Sequence, residues 1–184
     1  MSATMAVLVI DIQRDYFPGG EYPLVGADAA AGQARAIVLR ARQDGVPVIH
    51  IRHESLEAGA TFFVPGTPGT AIDERLAPVD GELVITKNYP NSFLATGLRD
   101  ALEGGGVDEL VIVGMMSSMC VDATTRAALD LDFAVTVIHD ACAAPDLAFD
   151  GNVIPGATVH AAFMAALTDA GAEVIAAANF TARE

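Results

Sequence analysis

The run Leu110-Val-Ile-Val113, continuing as Gly114-Met-Met-Ser-Ser-Met-Cys120-Val-Asp-Ala-Thr-Thr-Arg126, decides how this chain folds. A short, unbroken apolar run rich in β-branched side chains reads as a strand buried on both faces. The segment from Cys120 to Leu131 reads as an amphipathic helix. Cys120 then sits near a helix N-terminus, where unpaired N–H groups and the positive end of the helix dipole favour a thiolate. The same N–H groups can hold a developing oxyanion. Taken alone, the segment is equally compatible with an inert cysteine packing a helix start.

Two further apolar runs end on ionisable residues. Met5-Ala-Val-Leu-Val-Ile10 ends on Asp11, and Gly81-Glu-Leu-Val-Ile-Thr86 ends on Lys87. In open parallel sheets, ligands bind outside the carboxyl ends of the strands, so an acid, an ammonium and a thiol placed there would share one cleft. Taken singly, Asp11 reads equally as a loop cap and Lys87 as a solvated strand end.

The remaining segments alternate strand and helix, the mark of a wound parallel sheet. Asp28, as N-cap, opens an alanine-rich helix to Ala41 that Gly45 stops, and Val46–Ile51 reads as the second strand. Leu94, Leu98 and Leu102 define one face of a helix ended by glycines 104–106. Glu109–Val113, Ala134–Ile138 and Glu173–Ala176 read as strands four, five and six. Thr158 caps a helix carrying Val159, Phe163 and Leu167. These elements predict an α/β fold: a three-layer α/β/α, Rossmann-like single domain over residues 1–184, with a mostly parallel six-stranded sheet. Two long irregular segments, 54–78 and 143–155, leave the carboxyl ends of strands two and five and are expected to roof the cleft.

Composition narrows the function. The chain has 184 residues, is 52% hydrophobic and 18% charged, and carries a net charge of −14. Ten basic residues scattered among 24 acidic ones make no basic stripe, so nucleic-acid binding is disfavoured. No apolar run approaches the ~20 residues that span a bilayer. Two cysteines without a disulfide framework, and no charged leader ahead of an apolar core, point to a cytoplasmic protein with reduced thiols. The apolar surplus suggests a subunit interface, hence a homo-oligomer.

The chain resembles the isochorismatase-like cysteine hydrolase superfamily, which includes nicotinamidases, N-carbamoylsarcosine amidases, other amide hydrolases and isochorismatases. The resemblance rests on Val9-Ile-Asp11-Ile-Gln13-Arg-Asp15-Tyr-Phe17, on Lys87-Asn-Tyr-Pro-Asn-Ser92-Phe93 with Thr96 and Leu98, and on Gly114 through Cys120-Val121 with the following Thr-Arg-Ala-Ala. It implies Asp11, Lys87 and Cys120 as a catalytic triad. It also implies a cis peptide at Met115–Met116, with the N–H groups of Met116 and Cys120 as oxyanion hole. The expected partners are a small-molecule substrate and further copies of the chain, as a dimer or tetramer.

The implied chemistry is acyl transfer through a thioester, with Asp11 as the base and Lys87 holding Asp11 and Cys120 in register. Gln13, Phe17, His53, Phe62 and Ser92, with Asp15, are expected to line the pocket by position. Ser117 and Ser118 lack a nucleophile elbow and are expected to cap the helix; Asp122 and Arg126 should pair one helical turn apart. Nicotinamidases hold a metal through an Asp-x-His pair and a further histidine. The matching stretch here, His50-Ile-Arg-His53-Glu54, lacks that pattern, so no metal and no cofactor is expected. The leading function is hydrolysis of a C–N bond in a small amide. The alternatives are vinyl-ether hydrolysis with Asp11 as acid, and a non-catalytic binding or assembly role.

Overall fold

Eight strands and four helices occur in residues 4–181, which the computed structural model describes. In chain order they are β1 (Met5–Ile10), α1 (Ala27–Gln43), β2 (Val48–His53), β3 (Leu83–Lys87), α2 (Leu98–Gly104) and β4 (Glu109–Met115). Next come α3 (Asp122–Asp130), β5 (Ala134–Ala143), β6 (Leu147–Phe149), β7 (Asn152–Ile154), α4 (Gly156–Asp169) and β8 (Glu173–Ile175). Six strands form one parallel sheet in the order β3-β2-β1-β4-β5-β8, and β6 and β7 pair as a small antiparallel hairpin. The three-layer parallel fold expected from the alternating elements is the one observed.

The sheet separates two apolar layers, and strict alternation along the strands feeds both. Val7 and Val9 of β1, with Val111 and Val113 of β4, pack towards α1. Ala6, Leu8 and Ile10, with Leu110 and Ile112, pack towards α2, α3 and α4 through Leu98, Leu102, Ala128 and Leu167. Alanines on the buried face of α1 (Ala27, Ala30, Ala31, Ala34, Ala41) let that helix lie close to the sheet.

Several boundaries differ from the sequence reading. Gly26, not Asp28, is the N-cap of α1, and the Asp28 carboxylate instead pairs with Arg75 at 2.9 Å. The second strand runs two residues later than expected, to His53, because it pairs in register with β3 up to Lys87. α2 begins only at Leu98, so Leu94 lies outside it, half exposed. α4 begins at Gly156 after Pro155, with Thr158 inside its first turn rather than capping it. β5 runs on to Ala143 because its register against β4 shifts, from Ile112↔Val137 to Gly114↔Cys142. Such a bulge bends the strand and carries it past its expected end.

The strand order reverses between β1 and β4, which puts the topological switch point at their carboxyl ends. Close approach there depends on Gly114, which has φ +141° and pairs with Ile10. A Cβ at Gly114 would meet the Ile10 carbonyl oxygen at 2.0 Å. Gly114→Ala is therefore expected to cost about 2–3 kcal/mol in denaturant unfolding, from overpacking and an unfavourable φ. Because Ile10 leads directly into Asp11, activity should fall by more than the folded fraction does. Unchanged stability would show that the two strands can separate freely.

A polar clasp fastens β3 to the rest of the domain. Glu82 accepts from Arg42 of α1 (Nε 2.8 Å, Nη2 2.9 Å) and contacts His50 Nε2 of β2 at 2.8 Å. Burial works against the Glu82 charge, but the bonds from Arg42, the Val79 N–H and His50 outweigh it and hold the carboxyl at about 2. A folded-state pKa below the unfolded one contributes stability that is present above the unfolded value and lost as pH falls through the folded one. The stability gap between the wild type and Glu82→Gln is thus expected to narrow between pH 4.5 and about 2. Thermal unfolding across that range checks it; a constant gap would mean the charge contributes nothing.

Candidate active site

Three distant segments meet at the switch point. Asp11 follows β1 directly, in the left-handed region at φ +51°, a conformation Asp tolerates better than most residues. Its N–H donates to the Ile51 carbonyl at 3.0 Å, and its side chain is fully buried. Lys87 ends β3, two strands away across β2. Two strand spacings are roughly 9–10 Å, so only a long side chain spans the gap. Lys87 is the chain's only lysine.

Cys120 does not open an α-helix as the sequence suggested. It lies in a five-residue π-helical turn, Ser117–Val121, inserted between β4 and α3. The peptide bond before that turn, Met115–Met116, is cis. The Met116 carbonyl accepts from the N–H groups of Met119 (3.0 Å) and Val121 (3.2 Å). Ser117 does not cap: its hydroxyl is bonded to His160 Nδ1 at 2.8 Å. Asp122 and Arg126 do pair, at 2.9 Å.

The Lys87 ammonium joins the site. It donates to Asp11 Oδ2 at 2.7 Å, to Cys120 Sγ at 3.2 Å and to His53 Nδ1 at 2.9 Å. Three donors meet three acceptors, so the ammonium is saturated and His53 must carry its own proton on Nε2. Burial opposes the Lys87 charge, but the Asp11 and Cys120 contacts outweigh it and raise its pKa. The second carboxylate oxygen, Asp11 Oδ1, is buried without a hydrogen-bond partner.

The thiol behaves differently from the sequence expectation. Burial and, after it, the neighbouring Asp11 charge push the Cys120 thiol well above its ordinary range, and the Lys87 contact only partly offsets them. Both effects favour the thiol over the thiolate, with a carboxylate oxygen of Asp11 within 4.8 Å of the sulfur. Cys142, the other free cysteine, lies buried in β5 and is pushed up to about 12, chiefly by burial.

One ligand atom each from Asp11, His53 and Cys120 lies within 4.8 Å of the others, a spacing a metal ion could use. The Lys87 ammonium contacts all three residues and holds the position such an ion would take. His50 is turned away to Glu82. The residues present do not fit a metal.

Cys120 opens into a cleft of about 360 Å³ whose walls include His53, Phe62, Phe63 and Met116. His53 and Phe62 are thus where the sequence placed them, and Phe62 stacks on Tyr22 at 4.8 Å. Gln13, Phe17 and Ser92 are not on this wall. Gln13 is fully buried and clamps the β2 end, donating to the His53 and Thr70 carbonyls and accepting from the His53 N–H at 2.7 Å. Phe17 lies under the Arg75 guanidinium and lines a separate hollow of about 560 Å³ that contains none of the three clustered residues. Asp15 borders that hollow too, its carboxylate accepting from the Phe63 and Glu21 N–H groups. Ser92 is buried against Thr124 of α3, hydroxyl to hydroxyl at 2.8 Å. In each case a polar or apolar side chain near the motif is used to brace the backbone instead of facing the cleft.

The segment 54–78 supplies one side of the cleft, through Ser55 to Phe63. The segment 143–155 does not: it folds into the β6–β7 hairpin and contributes nothing to this wall. The sequence reading missed Tyr16, Leu56, Glu57, Asn88, Tyr89 and Met119, all on the cleft. Tyr16, Asn88, Tyr89 and Met119 lie within the three motifs that carry the family resemblance, so their place in the chain was a usable signal. Leu56 and Glu57 carried none.

A parallel sheet that gathers an acid, a lysine and a cysteine at its switch point defines a class, α/β proteins with a polar cluster suited to hydrolysis. The family model of the Isochorismatase domain matches residues 5–179. An isochorismatase family protein from Bacillus subtilis, YddQ, is 44% identical over 93% of this chain and 95% of its own length. Maleamate amidohydrolase from Pseudomonas putida is 32% identical over 73% of this chain and 70% of its own. The crystal structure of an isochorismatase from Pseudomonas putida superposes with a TM-score of 0.90 at 35% identity, covering 97% of this chain and 90% of that one. The chain belongs to the isochorismatase family and is a hydrolase of that family.

Proposed function

We propose that this protein hydrolyses a C–N bond in a small amide through a thioester on Cys120. The observation that carries this reading is the Lys87 ammonium bonded at once to Asp11 and Cys120, with Asp11 Oδ1 left free beside the sulfur. The similarity to maleamate amidohydrolase supports it.

Asp11 takes the thiol proton, and the sulfur attacks the amide carbonyl carbon. The oxyanion is received by the N–H groups of Met116 and Cys120, which border the cleft. As the tetrahedral adduct collapses, the C–N bond breaks and the departing amine takes the proton from Asp11. Water then gives a proton to Asp11 and attacks the thioester, the C–S bond breaks, and the thiol is restored with release of the acid. Lys87 stays charged throughout, which keeps the carboxylate placed and offsets the negative charge as it moves.

A cytoplasmic setting and self-assembly complete this reading. Two free cysteines suit a cytoplasmic compartment, and among the described residues no helix is long and apolar enough to cross a membrane. Exposed Leu83 and Val84 on edge strand β3, and Phe149 and Val153 on the hairpin, suit a homo-oligomer, dimer or tetramer.

Mass spectrometry of the intact protein after rapid acid quench with a panel of primary amides tests the chemistry. The expected result is an increment equal to the acyl group, mapped to the peptide carrying Cys120. Amide turnover under single-turnover conditions with no such adduct, while a slow thioester substrate also leaves none, would refute the covalent route.

A further inference from the structure

Beyond the reaction itself, the cleft is built to select charge. We infer that it takes an uncharged or cationic amide with an apolar body and rejects amides that carry a carboxylate. This deepens the amide-hydrolase reading and rests on it for the reaction, though not for the charge preference.

Leu56, Phe62, Phe63 and Met119 give the walls an apolar component, and the polar side chains beside them, Ser55, Thr61, Asn88 and Tyr89, offer a substrate neutral hydrogen-bonding groups rather than a cation. Among the described residues, no arginine or lysine borders the cleft. The nearest in sequence, Arg52, is tied to Thr86 Oγ1 at 2.9 Å and to Glu54 at 3.1 Å. Arg75 is paired with Asp28 and Asp73, and Arg126 with Asp122. Lys87 has spent all three of its N–H donors on Asp11, His53 and Cys120.

That leaves His53 as the one group that could meet a carboxylate as a cation, and its geometry prevents this. Its Nδ1 accepts from Lys87 Nζ at 2.9 Å, so protonation there would set two ammonium-type charges in contact. Burial and, after it, the Lys87 charge lower the His53 pKa, in keeping with a neutral ring. A neutral ring with its proton on Nε2 offers a substrate one uncharged donor. Among the described residues, the one acidic side chain that borders the cleft is Glu57, which is exposed. A substrate carboxylate entering here would lose its water, find no cation, and face Glu57. Burying an ion without a partner is among the costliest events in a protein interior.

Two measurements on the full chain test this. The first compares thiol modification at Cys120 by 2-aminoethyl and 2-sulfonatoethyl methanethiosulfonate, each rate divided by that reagent's rate with free cysteine. The cationic reagent is expected to be favoured by about tenfold or more, since paired and unpaired charge differ by at least that much at a cleft of low polarity. Glu57→Gln should shrink the ratio several-fold, and Glu57→Lys should shrink it further; Glu57 is exposed, so neither change threatens folding. The second compares kcat/KM for straight-chain primary amides that differ only in the end group: methyl, ammonium or carboxylate. The carboxylate member is expected to be at least about 100-fold poorer than the methyl member, the scale seen when a site leaves a polar group unpaired.

A carboxylate amide turned over as well as its methyl analogue would overturn the inference. So would equal or reversed reagent rates, or failure of both reagents to reach Cys120. If no amide of the set is hydrolysed but the cationic reagent is still preferred, the amide-hydrolase reading fails while the charge selection stands.

Discussion

Cys120→Ala is expected to lower amide hydrolysis by about 10⁴-fold or more, the scale on which removing a covalent nucleophile acts. The fold should survive. Cys120 belongs to one apolar layer but also borders the cleft, and the sulfur is small, so its loss should cost only about 1 kcal/mol in unfolding. The separation of the two effects is the test: activity collapses while the thermal midpoint moves by a few degrees. Cys120→Ser should also be severely impaired, because an alcohol is a far weaker acid than a thiol and Asp11 would have to remove its proton. Amide turnover retained in Cys120→Ala would end the thioester proposal. Vinyl-ether hydrolysis that persists in the same variant would point to proton donation from Asp11 as the native chemistry, since that reaction has no use for sulfur.

The second large effect is expected at Lys87. Its ammonium and the Asp11 carboxylate are both fully buried and 2.7 Å apart. Lys87→Met keeps the length of the stem but removes the charge, and leaves a buried carboxylate without its partner. Breaking one side of such a pair typically costs about 3–5 kcal/mol. Activity should disappear as well, because neither the base nor the sulfur is then held in place. The double change Asp11→Asn with Lys87→Met removes both charges and is expected to recover most of the lost stability while remaining inactive. Urea unfolding of the two singles and the double gives the coupling directly. Additive costs would mean that the two groups do not sense each other, and that the ion pair does not form in solution.

The same buried ion pair explains why a protonated thiol is compatible with nucleophilic chemistry. A helix N-terminus, as the sequence reads, would favour the Cys120 thiolate. The sulfur is instead enclosed near the Asp11 carboxylate, so burial and, after it, Asp11 outweigh the Lys87 contact. Under the proposed chemistry the thiol needs a base nearby, and Asp11, whose Oδ1 has no hydrogen-bond partner, would supply it. Iodoacetamide should accordingly label Cys120 slowly compared with an exposed low-pKa thiol, but ahead of Cys142, which does not border the catalytic cleft.

The pocket residues show where one-dimensional reading stops. The sequence puts Gln13, Phe17 and Ser92 at the cleft because they neighbour Asp11 and Lys87 along the chain. Each is turned away by a local demand: the β2 terminus needs its backbone groups satisfied, Arg75 covers the Phe17 ring, and α3 is fastened through Thr124. A residue two, five or six positions beyond Asp11 or Lys87 can face either way once the strand has ended, since no fixed period governs a loop.

Apolar runs of four to six residues, broken by helices of apolar period, left the chain only a parallel sheet covered on both faces. The positions of Asp11, Lys87 and Cys120 at strand ends came from the same pattern. These properties are local, set by side-chain periodicity, and therefore readable in order along the chain. Tertiary structure alone decided that the cysteine turn is π-helical, that Lys87 spends its last donor on His53, and that Glu57 faces the cleft. Those outcomes depend on the bulge in β5, on the pairing of β2 with β3 and on a loop folding back over the strand ends, and contacts between residues tens of positions apart leave no period in the sequence.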